Sequence, residues 1–171
     1  MKHGNKFLLM LTGVLLSSPA LAHSNDISSG LLAGFVHPLT GIDHLLALIL
    51  AGFFIGRNVF SRQRQVGFLL MFLLTLAMGA GAGLALGAQA WIESAILLSL
   101  PVFFALQWLK QTNITAMIIG LFMLAHGWAH GVEMSMINSS FLFGFLLSSM
   151  LAISFSIFIG MRLRSHSISH A

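Results

Sequence analysis

The chain of 171 residues contains no cysteine, and only four of its residues are acidic. The first absence removes a disulfide framework and any thiolate metal site. A metal would have to be held by nitrogen and oxygen, with methionine sulfur as a lesser option. Charge is scarce as well: Asp, Glu, Lys and Arg make up 7% of the chain, against 57% hydrophobic residues and a mean hydropathy of +0.95. That balance excludes an ordinary soluble domain and indicates an integral membrane protein. The length allows one compact bundle rather than two domains. The net charge of +4 is no nucleic-acid signature, because six of the eight Lys and Arg residues stand in short loops or tails between oily runs. Basic residues of membrane proteins collect in such places. There is no nucleotide-binding loop, so nothing in this chain points to ATP as a ligand, and there is no H-E-x-x-H or nucleophile elbow.

What is present begins with "MKHGNKFLLMLTGVLLSSPALA". Lys2 and Lys6 precede an apolar run from Phe7 to Leu16, and Ala20-Leu21-Ala22 offers a small-residue cleavage site. Residues 1–22 therefore read as a secretory signal peptide, the alternative being an uncleaved first helix. The mature chain would begin at His23, with the transmembrane domain over 23–164 and a polar cytoplasmic tail over 165–171.

Five apolar runs follow, within Ile27–Gly56, Val66–Ala88, Trp91–Leu109, Ile114–Gly131 and Phe141–Met161. Each approaches the roughly 20 residues a helix needs to cross a bilayer. Helices satisfy their own backbone groups in lipid, so the expected fold is all-α, a polytopic membrane bundle of about five spans. Arg57, Arg62 and Arg64 separate spans one and two, Lys110 separates three and four, and Arg162 and Arg164 follow five. The two remaining loops of the mature chain carry no Lys or Arg. The positive-inside rule then places the N-terminus in the periplasm and the C-terminus in the cytoplasm of a bacterium, with the chain in the inner membrane.

On that map the ionisable groups gather at one level. His37, Asp43 and His44 open span one, Glu93 opens span three, and His126, His130 and Glu133 close span four, all toward the periplasm. From Leu45 to Gly56 there are only twelve residues, about 18 Å of helix, which is short of a hydrocarbon core of about 30 Å. Part of "FVHPLTGIDH" must therefore lie within the membrane, with a break expected at His37-Pro38 and Pro38 in the first turn of the helix. An aspartate at the centre of a spanning helix costs roughly 2.5–3.5 kcal/mol, less when off-centre. Residues kept at such a cost usually face a partner, a water cavity or an ion path.

"AHGWAHGVEM" sets His126 and His130 four apart, with Glu133 three further on. These fall within about 60° of one helical face, two imidazoles and a carboxylate in a stripe. Gly127 and Gly131 let another backbone come close, and the nearby C-terminal end of the helix favours a cation. In span one, His37 and His44 share a face if the helix is regular. Asp43 then points about 100° away, and without local distortion it holds an imidazole or charges the channel mouth. Up to four imidazoles and three carboxylates suit a divalent first-row metal such as Zn, Ni, Co or Cu(II). Met134 and Met136 suggest Cu(I), but in a chain of ten methionines they read as bundle residues.

The bland readings are a polar knot between helices for His126, His130 and Glu133, and a helix cap with interfacial polarity for His37, Asp43 and His44. Interhelical hydrogen bonds average only about 0.6 kcal/mol in membranes, a weak reason to keep such residues. Glu93 beside Trp91 reads equally well as an interfacial residue. His23, His166 and His170 read mainly as residues of mobile ends. Gly79, Gly83 and Gly87 form a ridge that helix packing explains.

"HPLTGIDHLLA" and "HGWAHGVE" resemble the two signatures of the HupE/UreJ family of nickel/cobalt permeases, His-x5-Asp-His early and His-Gly-x-Ala-His-Gly-x-Glu late. The small size, the leader, the Gly-rich second span and the glutamate of "WIESA" are similar too, so the likeness covers the whole mature chain. One departure is Ala125, where the family usually has Phe before the second motif. The resemblance implies secondary transport of Ni2+ or Co2+ as substrate, with no prosthetic group, for metalloenzymes such as hydrogenase or urease. It also implies that His37, Asp43, His44, His126, His130 and Glu133 serve the metal path. Protonation of histidines, with an ordinary pKa near 6.5, offers one way to couple release to pH. Two other classes remain open at this point: an intramembrane zinc-dependent hydrolase, and a metal sensor or accessory subunit. A bundle of this size also leaves room for assembly with copies of itself.

Overall fold

The computed structural model describes residues 30–59, 61–109, 111–134 and 138–169, with side chains through residue 164. The leader, His23, Lys110, Met136 and His170 lie outside the described residues, as does the side chain of His166. Six helices and no strands are present among them: α1 (Leu31–Thr40), α2 (Ile42–Asn58), α3 (Arg62–Leu86), α4 (Ala90–Leu106), α5 (Thr112–Glu133) and α6 (Ser139–Ser169). The expected all-α membrane bundle is what the chain forms. α3, α5 and Ser139–Arg164 of α6 are each long and apolar enough to cross a membrane. α1 and α2 are long and apolar enough only together, as a pair bent by 82° that forms a broken span or a re-entrant loop. The fifth expected span is α4, whose 17 residues lie at the short end of the range for a crossing. α6 runs on to Ser169, into the polar tail.

The break in the first span falls at Gly41, not at His37-Pro38, and Pro38 stands in the last turn of α1 rather than the first turn of α2. Proline removes one backbone donor, yet the helix survives to Thr40, whose hydroxyl donates to the His37 carbonyl at 2.9 Å and closes the turn. Gly41 then takes an extended conformation (φ −79°, ψ 109°), and the Leu45 amide donates to its carbonyl to start α2. His37 and His44 therefore do not share one helical face. They sit at the facing ends of two helices.

Two close helix contacts organise the rest. α3 lies against α5, where Gly79 and Gly83 meet the carbonyls of Leu124 and Trp128, and Gly127 and Gly131 meet those of Leu76 and Ala80. Small residues at such a crossing let backbones touch. Gly87 does not extend that ridge. It ends α3 with φ +69°, a conformation glycine adopts without a Cβ penalty, and its carbonyl accepts from Trp128 Nε1 at 2.9 Å. On the other side α6 covers α1 and α2, through Gly34 against Phe141, Gly144 against Leu31 and Gly52 against Ile153. Between these layers Phe54, Phe72, Phe103, Ile119, Met123 and Phe145 form a fully buried core. Leu70, Leu74, Leu121 and Phe155 point outward with more than half their surface exposed, as a lipid-facing exterior requires.

Candidate metal centre

The break at Gly41 aims two helix ends at α5. His37 reaches it from the last turn of α1, and its Nε2 lies 2.7 Å from Glu133 Oε2, the carboxylate accepting. Asp43 and His44 reach it from the first turn of α2, with Asp43 Oδ1 3.0 Å from His44 Nδ1. α5 presents His126 and His130, both buried, and Glu133 at its exposed end, Oε2 lying 3.6 Å from His130 Nδ1. The rings interlock. His130 stands 4.7 Å from His37 and 4.3 Å from His44 between centroids, and His44 stands 4.8 Å from His126. Four imidazoles that are up to 93 positions apart in sequence thus form one cluster.

The cluster has an outer and an inner part. In the outer part, one ligand atom each from His37, His130 and Glu133 lie within 4.8 Å of one another, with Glu133 exposed. The inner part surrounds a cavity of about 10 Å³ lined by His44, His126 and His130 with Pro38, Met123 and Ser149 among its walls. Here two buried ring nitrogens, His44 Nε2 and His126 Nδ1, have no hydrogen-bond partner, while His130 Nδ1 lies toward Glu133 in the outer part. Buried polar atoms are normally satisfied, so these two nitrogens beside one cavity are open to a further partner. Asp43 fixes the orientation of His44: a carboxylate only accepts, so Nδ1 carries the proton and Nε2 presents its lone pair. A carboxylate behind a histidine serves metal sites in this way. Asp43 thus orients the His44 ring instead of facing the cavity itself.

The structure brings together His37, Asp43, His44, His126, His130 and Glu133. Glu93 is exposed on α4 and stands outside the cluster. Met134 packs against the core as a bundle residue. Ala125, the departure noted above, is buried against Ile92 and Ile96, so α4 approaches α5 closely beside His126. That approach delivers a residue the motifs do not contain. Ser99 of α4 is fully buried, with its hydroxyl 2.9 Å from His126 Nε2. Its only sequence signal is a hydroxyl in the middle of an apolar run.

Fold and site together define a helical membrane protein with a cluster of histidines and carboxylates, partly buried, of the donor types that divalent first-row metals take. The chain matches the HupE / UreJ protein family over residues 9–170 and belongs to it. It is 29% identical over 156 residues to Protein HupE of Rhizobium leguminosarum bv. viciae, covering 86% of this chain and 78% of that protein. No solved structure matches the chain.

Proposed function

We propose that this protein is a permease that takes up Ni2+, Co2+ or both across the bacterial inner membrane as a secondary transporter, supplying metalloenzyme maturation such as that of hydrogenase or urease. The observation that carries the reading is the pair of unpartnered buried imidazole nitrogens of His44 and His126 beside one cavity, next to a His37-His130-Glu133 triad whose carboxylate is exposed. The outer triad captures the hydrated ion through its exposed Glu133, which offsets the charge, with Glu93 adding negative charge at the same face. His130 touches both His37 and His44, so it passes the ion from the outer set to the inner one. Nitrogen and oxygen donors of this kind suit Ni2+ and Co2+ better than Mg2+ or Ca2+. The N-terminal side of the bundle faces the periplasm, as the arginines at the opposite loops favour.

Uptake of radiolabelled nickel and cobalt into cells without other high-affinity transporters tests the reading. Accumulation should depend on the intact protein and be abolished by His44→Ala and by His130→Ala at matched membrane levels. If the well-expressed protein moves neither ion, the permease reading fails and zinc-dependent hydrolysis takes its place.

A further inference from the structure

Ser99 lies on α4, in no metal-binding motif, and has two close polar neighbours. Its hydroxyl is 2.6 Å from the Ile96 carbonyl oxygen and 2.9 Å from His126 Nε2. A carbonyl oxygen can only accept, and an oxygen-oxygen approach that short requires a proton between the two. The single hydroxyl proton of Ser99 is therefore committed to Ile96. Toward His126 the serine oxygen can then act only as an acceptor, so Nε2 must carry the ring proton. The remaining nitrogen, Nδ1, is left with its lone pair, and with His44 Nε2 it is one of the two unpartnered buried nitrogens of the inner site.

We propose that Ser99 is a positioning residue that locks His126 as the Nε2-protonated tautomer, so that Nδ1 stands ready as a nitrogen donor to the divalent ion in the inner cavity. His44 reaches the same state by a different partner, Asp43, on the other side of the cavity. One ring is held by a carboxylate and the other by a neutral hydroxyl. The neutral partner keeps the tautomer without adding a further negative charge, so it orients the ligand while adding less to the affinity for the ion. A permease must release what it binds, and an imidazole held by a neutral partner is suited to release. The proposal rests on the metal-transport reading for its role, whereas the tautomer it assigns does not.

The test uses the full-length protein in lipid bilayers, with histidine ring nitrogens labelled with nitrogen-15 and the His126 signals assigned by loss in His126→Gln. Magnetic resonance should show His126 Nε2 protonated and Nδ1 unprotonated in the metal-free protein. Ser99→Ala should abolish that preference, and Ser99→Thr should restore it. Titration with Co2+, followed by its visible absorption, should show affinity weaker by about 10- to 100-fold in Ser99→Ala and near wild type in Ser99→Thr. Protonation at Nδ1 in the wild type, or an unchanged tautomer with unchanged Co2+ affinity in Ser99→Ala, would overturn the proposal. If Ser99→Ala does not fold, the wild-type spectrum and the Ser99→Thr titration still decide. The tautomer measurement stands apart from uptake: a protein with the expected spectrum that moves no nickel or cobalt defeats the permease reading and leaves the role of Ser99 in orienting His126 intact.

Discussion

Replacing Gly131 by alanine removes no metal ligand, yet it should disable the site. A Cβ at this position would run into the carbonyl of Ala80, and one at Gly127 into that of Leu76. Both obstacles are helix backbone and cannot swing aside as a side-chain tip does. Reaching ordinary contact distance requires α3 and α5 to part by on the order of 1 Å. Forcing extra volume into a packed interface costs roughly 1–3 kcal/mol. The functional loss should be larger in proportion, because His130 precedes Gly131 directly and His126 lies one turn back. Metal-ligand distances tolerate only about 0.2 Å, and misplacement of reacting groups by about 1 Å costs on the order of a hundredfold in enzymes. Nickel or cobalt uptake by Gly131→Ala should therefore fall at least about tenfold at matched membrane levels, with a lower melting temperature in detergent. Two controls sit on the same helices. A Cβ at Gly81 of α3 meets nothing within 4 Å, and one at Gly120 of α5 meets only side-chain ends, Met71 at 3.4 Å and Thr75 at 3.9 Å. Both alanine variants should transport like the wild type. Wild-type uptake by Gly131→Ala, or an equal loss in Gly81→Ala, would refute the assignment of close packing as the device that places the histidines.

Asp43→Asn keeps an acceptor near His44 Nδ1 but removes its charge, so Co2+ affinity should weaken by about 10- to 100-fold, read from an optical titration. An unchanged titration would show that Asp43 does not hold the ring for the metal. Because the chain has no cysteine, single cysteines introduced at Gln89 and Ser61 report orientation directly. A membrane-impermeant maleimide added to intact spheroplasts should label Gln89→Cys and leave Ser61→Cys unlabelled until the membrane is opened, and the reverse pattern would invert the bundle.

The residues of the candidate site were legible in the sequence because polar groups in a span are costly enough to stand out and because four-residue spacing maps directly onto a helix face. The geometry linking them was less so. His37 and His44 are seven apart, a spacing that reads as one face, but Gly41 bends the chain by 82° between them. Pro38 drew attention as the natural breaking point. The choice between Pro38 and Gly41 turned on a local hydrogen bond from Thr40, which propensity alone does not reveal. The ridge of Gly79, Gly83 and Gly87 shows the same limit, since the first two glycines meet α5 and the third ends the helix. Ser99 was invisible for a further reason. A serine in an apolar helix can satisfy itself on its own backbone, and only the packing of α4 on Ala125 turns this one toward His126.

The glycine contacts also divide the ligands between two units. α1 and α2 are fastened to α6, and that unit carries His37 and His44. α3 is fastened to α5, and that unit carries His126, His130 and Glu133. The candidate site lies on the seam, so an ion held there draws on both units at once. Phe145 packs on His130 at the cavity itself, and Phe54, Phe72 and Phe103 are fully buried in the core. Side chains packed to that degree leave no passage by rotamer change alone, because packed interfaces shift between discrete arrangements rather than deforming smoothly. Under the transport reading, inward release therefore requires the two glycine-fastened units to move relative to each other. Because His44 stands on one unit and His126 and His130 on the other, such a movement would separate these three rings.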